Sequence, residues 1–224
     1  MLVDDTVVAG SGAAPHTLRA SGLACRRGER ILFKGLEFVV HPGEVVWLRG
    51  SNGRGKTSLL RLLAGLARPE DGEIAWAGQT LPRAREALGR SALYLAHANS
   101  LKDDLSAVES LGFLAALHGQ PAEREDLLAA LRAVGLFSRR DAAVRTLSQG
   151  QKRRVALARL ALQPAKSLWI LDEPYDALDV DGCAVIDGLI ARHVHAGGSV
   201  VLTSHLPLTL TDPRPREFVL EGSA

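Results

Sequence analysis

"VVWLRGSNGRGKTSLLRLLAGLA", Val45 to Ala67, decides how this chain folds. It opens on an apolar, β-rich run that reads as a buried strand. Leucines at 59, 60, 62, 63 and 66 then trace the apolar stripe of a helix. Between the two lies "GSNGRGKT", Gly50 to Thr57, with the glycine, four-residue gap and Gly-Lys-Thr of a phosphate-binding loop. Glycines let such a loop turn its backbone N–H groups onto phosphate oxygens, so Gly50, Ser51, Asn52, Gly53, Arg54 and Gly55 are all candidate phosphate contacts. Lys56 can reach the β and γ phosphates of a nucleotide, and the Thr57 hydroxyl can ligate Mg²⁺. The plain alternative is a glycine-rich turn that merely joins strand to helix. The full pattern in its expected context argues against it.

Two later runs end on groups that a bound phosphate chain needs. "SLWILDEP" reads as a second buried strand, stopped by Pro174 and finishing on Asp172 and Glu173. In a parallel sheet the carboxyl ends of the strands border the ligand crevice. Asp172 fits a carboxylate that holds the Mg²⁺ shell, directly or through water. Glu173 fits the base that orients and polarises an attacking water. Alone, this acidic pair would read as a solvated turn; the phosphate loop changes that. "GSVVLTSH" reads as a third buried strand, and its terminal His205 can contact the γ-phosphate. Alone, it would read as a structural histidine.

"LSQGQKRR", Leu147 to Arg154, poses a different question. The apolar "VALARLAL" after it predicts a helix starting near Gln149 with Ser148 as its N-cap. Three basic residues crowd the first turns, where the helix dipole prefers negative charge. A hydroxyl, a glycine and a positive helix end together would suit an anion. The basic run itself has a second reading, a solvated face whose stems pack.

The order of strands and helices argues for an α/β core with a parallel sheet. "GEIAWAG" reads as a short strand, "DGCAVIDGLIARHV" as a helix and "EFVLEG" as a late edge strand. The middle, about 98–162, reads as helices only, including "AVESLGFLAALHG" and "REDLLAALRAVGL", and is expected to be an inserted helical subdomain. Residues 1–17 carry no basic n-region and no long apolar core, so they read as a mobile tail ahead of a domain over 18–224. The 224 residues suffice for one domain with a subdomain, and the formal charge of +2 gives no reason to expect nucleic acid. Cys25 and Cys183 are far apart, which suits a reducing compartment and offers no metal spacing. No apolar run approaches the roughly 20 residues that span a bilayer.

Four elements thus stand in order: "GSNGRGKT", "LSQGQKRR", "ILDEPYDALD" and "TSH". The set resembles the nucleotide-binding domain of ABC transporters over about 18–210, and "LSQGQ" is the specific signature. The resemblance implies a P-loop NTPase core with a mostly parallel sheet, an antiparallel β edge and the helical subdomain. It implies ATP and Mg²⁺ as ligands and ATP hydrolysis coupled to transport. It also implies a head-to-tail homodimer, with ATP held between one subunit's phosphate loop and the other's signature helix. Ser148, Gln149 and Gly150 would then meet the γ-phosphate of the partner's ATP, and Asp179 would couple the two sites. Glu173 becomes the catalytic base, His205 the switch histidine, and Lys56 the cation on the phosphates.

Two departures from that family stand out. A glutamine normally follows the strand before the helical subdomain; "YLAHANSLKDDLSAVESL" has none, and Ala98 or Asn99 takes its place. An aromatic residue normally stacks on adenine; "LACRRGERILF" offers Arg26 or Arg27 instead, or a plain solvated turn. Within the superfamily, "LACRRGER", "YLAHANSLK" and "TSHLPL" are most similar to the small ATPase subunit of the cytochrome c maturation system. That implies integral membrane subunits that handle haem, release of a haem-loaded periplasmic chaperone, a peripheral place on the cytoplasmic face of the inner membrane and no nucleic-acid partner. Haem would not touch this chain, where His97 and His118 read as surface or loop residues. A different cargo (lipid, amino acid or drug) is the first alternative. A soluble ATPase acting on ribosomes or DNA is the second, although such members carry a second ATPase domain or a long coiled-coil insertion.

Overall fold

The computed structural model describes residues 16–81, 83–162 and 167–221. Most of the expected N-terminal tail lies outside these residues. Its last residue, Thr17, is buried and accepts a hydrogen bond from the Ala77 N–H at 2.9 Å. In chain order the elements are β1 (Leu18–Arg27), β2 (Arg30–Val40), β3 (Val45–Arg49), α1 (Lys56–Leu63), β4 (Asp71–Trp76), β5 (Gln79–Thr80), α2 (Arg85–Ser91) and β6 (Ala92–Leu95). They continue with α3 (Ala107–Leu117), α4 (Arg124–Ala133), α5 (Gln149–Leu157), β7 (Leu168–Leu171), α6 (Val180–His195), β8 (Ser199–Thr203) and β9 (Arg216–Val219).

The strands form two sheets. One is parallel, in the order β6-β7-β8-β3-β9; the other is antiparallel, in the order β2-β1-β4-β5. The antiparallel edge expected from the sequence is therefore a sheet of its own. "EFVLEG" supplies the expected edge strand, β9, which pairs with β3 alone.

Side-chain alternation along the parallel strands explains why they read as continuous apolar runs. Val46, Leu48, Leu168, Ile170 and Val201 point into a core shared with α1 and the antiparallel sheet, including Leu18, Phe33, Ile74 and Trp76. Their neighbours Val45, Trp169, Leu171, Val200 and Leu202 point the other way, into a core with α3, α4, α5 and α6. Both faces are covered, so the strands are apolar apart from hydrogen-bonded groups at their ends, such as Ser199 and Thr203 of β8. The four leucines of α1 at 59, 60, 62 and 63 are all buried between the two sheets, each burial contributing roughly 1.5–3 kcal/mol. The stripe ends at Ala64 rather than reaching Leu66, which is exposed.

Between β6 and β7 the described elements are helices and short 3₁₀ turns, which agrees with the helical reading of this stretch. Its first helix starts with a capping box, in which Ser106 Oγ accepts the Glu109 N–H and Glu109 accepts the Ser106 N–H. The hairpin β1–β2, the short helix α2 and the strand β6 are elements that hydropathy alone did not announce. β1 and β2 pair through three register shifts, which break a simple alternation.

Candidate active site

The phosphate loop follows β3 directly, and its last glycine closes onto the antiparallel sheet. Gly55 is the N-cap of α1 with φ 98°, and a Cβ there would meet Leu32 and Phe33 carbons at 3.1–3.3 Å. Both the left-handed backbone and the close approach therefore require glycine. Gly55 supplies no side-chain cap, which leaves the first N–H groups of α1 open to an anion. Lys56 Nζ donates to the Gly50 carbonyl at 2.7 Å, and Arg54 Nε donates to Ser51 Oγ at 3.2 Å. Both contacts hold the loop's curvature.

A cleft of about 580 Å³ lies over this loop. Asn52, Gly53, Gly55, Lys56 and Thr57 line it, with Asp172, Glu173 and His205 from the ends of β7 and β8. Three strand ends distant in sequence thus converge on one crevice, as a parallel sheet dictates. Asp172 is buried; its Oδ1 accepts the Thr203 hydroxyl at 3.0 Å and its Oδ2 has no hydrogen-bond partner among the described residues. Glu173 is held on three sides. Its N–H donates to Thr203 Oγ1 at 2.8 Å, its Oε2 accepts the His205 N–H at 2.9 Å, and its Oε1 lies 3.4 Å from the His205 ring nitrogen Nε2.

Ser148, Gly150 and Asp179 do not line that cleft. They border a second one of about 370 Å³ together with Ala177 and Arg154, and the two clefts share no lining residue. Gln149 is the first residue of α5. Ser148 is the expected N-cap: its Oγ accepts the Gln151 N–H at 3.2 Å while Gln151 Oε1 accepts the Ser148 N–H at 3.0 Å. Gly150 must be glycine because a Cβ would sit 2.6 Å from the Ala177 carbonyl oxygen. Asp179 caps α6 through the Gly182 N–H and also pairs with Arg154. The Gly182 N–H, and after it the Arg154 guanidinium, hold its carboxyl below the usual range.

Within the basic run of the signature, the structure corrects the reading of Arg153 alone. Lys152 pairs with Asp103 at 3.4 Å and Arg154 with Asp179, so neither is an unpaired charge. Arg153 is not on a solvated face but is 2% exposed. Its Nη1 donates to the carbonyls of Ala96 and His97 and to Asn99 Oδ1, and its Nη2 donates to the carbonyls of Asp172 and Glu173. Asn99 Oδ1 is thus engaged by Arg153, and Ala98 has no polar side chain to offer. His97 lines the phosphate-loop cleft instead.

The opposite wall chooses between the two arginines. Arg26 pairs with Glu70 at 3.3 Å, whereas Arg27, with Arg30 and Leu32, lines the cleft. Sequence reasoning passed over Arg30, Leu32, His97, Thr203 and Arg153 as site residues. Thr203 alone had a signal, standing in the same strand end as His205.

Comparison with known proteins agrees with this geometry. The family model described as ABC transporter matches residues 33–176. The "Cytochrome c biogenesis ATP-binding export protein CcmA" of Pseudomonas putida strain KT2440 is 52% identical over 91% of this chain and 96% of its own length. The protein of the same name from Salmonella typhi is 46% identical over 92% and 97%. Among solved structures, an ATP-binding subunit of an ABC transporter superposes with a TM-score of 0.77 at 26% identity, covering 90% of this chain and 85% of that one. A putative ABC transporter ATP-binding protein from Pyrococcus furiosus gives a TM-score of 0.75 at 24% identity, covering 91% and 97%, and supports the fold. With the family model covering more than half of the chain and these relatives nearly all of it, the chain belongs to the ABC transporter family and, within it, to the cytochrome c biogenesis ATP-binding export proteins.

Proposed function

We propose that this chain hydrolyses ATP as a peripheral subunit of a membrane transporter, driving haem export or haem-chaperone release in cytochrome c biogenesis. The observation that carries the ATPase reading is the convergence of Lys56, Thr57, Asp172, Glu173 and His205 on one cleft. The names of the relatives supply export in cytochrome c biogenesis, and haem as the cargo rests on the sequence resemblance. Among the described residues, no helix is long and apolar enough to cross a membrane, so transport would need separate integral membrane subunits docked at the cytoplasmic face. The ATPase domain takes in residues 18–224, with 98–162 as the helical subdomain to which those subunits bind.

ATP would lie with its phosphates on Gly50–Thr57, the Lys56 ammonium between the β and γ groups, and its base against Arg27, Arg30 and Leu32. A planar guanidinium stacks on a base much as an aromatic ring does. The donor set fits Mg²⁺: a buried carboxylate oxygen without a partner on Asp172, a hydroxyl on Thr57, and the phosphates themselves. Bound there, Mg²⁺ would neutralise charge on the β and γ phosphates. Glu173, fixed through Thr203 and the His205 N–H, would take the proton of the water whose oxygen attacks the γ-phosphorus, as the bond to the β–γ bridging oxygen breaks and ADP leaves. His205 would contact the γ-phosphate and register its loss. Ser148 and Gly150 face a separate cleft, with Gln149 between them in the chain, so the three would serve the ATP of a second copy in a head-to-tail homodimer, with Asp179 on the same cleft coupling the two sites.

The test is Lys56→Ala. It removes the cation on the phosphates, so ATP binding should weaken and hydrolysis should stop, read with a fluorescent nucleotide and by phosphate release. Near-normal turnover would overturn the reading.

A further inference from the structure

We propose that Arg153 is a positioning residue that sets Glu173 from the signature helix. The inference rests on the ATPase reading above. Glu173 is the residue whose exact placement matters most, and its backbone is unusual, with φ 51°. A non-glycine residue in this left-handed region persists only where its surroundings over-determine it. Here they do. Thr203 fixes its N–H at 2.8 Å, the His205 N–H fixes its carboxylate at 2.9 Å, and Arg153 Nη2 fixes its carbonyl at 2.7 Å.

The cost of Arg153 argues that it does more than pack. Its guanidinium is buried, its Nε has no partner, and no carboxylate among the described residues lies within ion-pair distance. Asp176, Asp172 and Glu173 are near enough to favour its charge, yet burial still pulls its pKa down, so the cation carries a net desolvation penalty that an apolar side chain of similar size would not. What an apolar side chain lacks is the fork. One arm, Nη1, reaches the carbonyls of Ala96 and His97 and the amide of Asn99, the loop by which the chain leaves β6 for the helical insertion. The other, Nη2, reaches the carbonyls of Asp172 and Glu173, the end of β7. Two segments more than seventy positions apart in sequence are thereby pinned to one side chain of α5.

Arg153 follows Ser148 by five positions and Gly150 by three, about one helical turn from these residues that face the second cleft. A displacement of α5 as its N-terminus meets the partner's nucleotide would pull on the Glu173 carbonyl and on the loop into the insertion together. Arg153 makes the setting of Glu173 depend on the place of the signature helix. Lysine cannot reproduce this, because a single ammonium reaches one segment or the other.

The experiment compares Arg153→Met and Arg153→Lys with the wild-type full chain, measuring kcat and KM for ATP, fluorescent-nucleotide affinity and thermal unfolding. A misplaced base lowers the chemical step and leaves the phosphate loop untouched. Arg153→Met should therefore lose about a hundredfold in kcat with KM and affinity within about twofold. Arg153→Lys should recover part of that rate. Wild-type kcat in either variant overturns the proposal, as does a joint fall of kcat and nucleotide affinity in step with melting temperature. Should Arg153→Met fail to fold, Arg153→Lys carries the same kcat-against-KM test. A wild-type chain that neither binds nor hydrolyses ATP would overturn the underlying reading instead, and is told apart from these outcomes because it concerns the unmutated protein.

Discussion

Replacing Ser148 with arginine separates a helix cap from a catalytic contact. The structural loss is the capping box with Gln151, about 1 kcal/mol. The new cation enters a helix start that already faces Arg139 and Arg154, where the dipole disfavours it. Val155, Ala156 and Leu157 remain buried, so α5 stays docked and the chain should fold and bind ATP at its own Lys56. Hydrolysis should fall about a hundredfold or more, the size expected for losing a preorganised donor to the developing phosphate charge. The decisive assay mixes Ser148→Arg with Lys56→Ala. In a head-to-tail dimer with random pairing, half of the dimers are mixed. Each mixed dimer has one site with both defects and one with neither, so about one quarter of all sites are intact. Phosphate release from an equimolar mixture should reach roughly a quarter of the wild-type rate if sites turn over independently. A mixture no more active than its components refutes independent turnover at a shared site. Wild-type hydrolysis by Ser148→Arg alone refutes the signature role altogether and leaves Ser148 as a helix cap.

Glu173→Gln keeps an oxygen for the His205 N–H and loses the charge that draws the proton. ATP should still bind, turnover should fall by about two orders of magnitude or more, and ATP-loaded dimer should accumulate on size-exclusion chromatography. Lys102→Glu reverses an exposed ammonium that lies 5.8 Å from the Phe113 ring at the start of the helical insertion. Basal nucleotide binding should persist while stimulation by the membrane subunits is lost, measured as ATPase activity with and without them. His193 stacks on Trp169 at 3.8 Å, and burial pulls its pKa down from 6.5 to about 4. The unfolded chain takes up this proton below pH 6.5 and the folded chain does not until about pH 4. Stability should therefore fall by on the order of 3 kcal/mol as pH drops across that window. Urea unfolding at a series of pH values checks it, and His193→Gln should flatten the slope.

The sequence by itself determined the features that live on contiguous stretches. A phosphate loop is one turn between one strand and one helix, so Gly50 to Thr57 announce it without help from the rest of the chain. The Ser148 cap, the acidic end of β7 and the helical insertion are local in the same sense, because capping, strand termination and helical periodicity act over a few residues. The hairpin β1–β2 was hidden by its register shifts, which blur the alternation that marks a strand. Other facts belong to the tertiary structure alone. That Arg27 rather than Arg26 lines the cleft depends on Glu70, which claims Arg26 from another strand. That Asn99 is spoken for, and that Arg153 is a buried tie and not a surface charge, depends on carbonyls more than fifty positions upstream and about twenty downstream of that arginine. Nor does any spacing in the sequence say that Ser148 and Lys56 open onto different clefts of the same chain. Strand order in the sheet decides that, because it sets which loop ends meet at the crevice and which lie outside it.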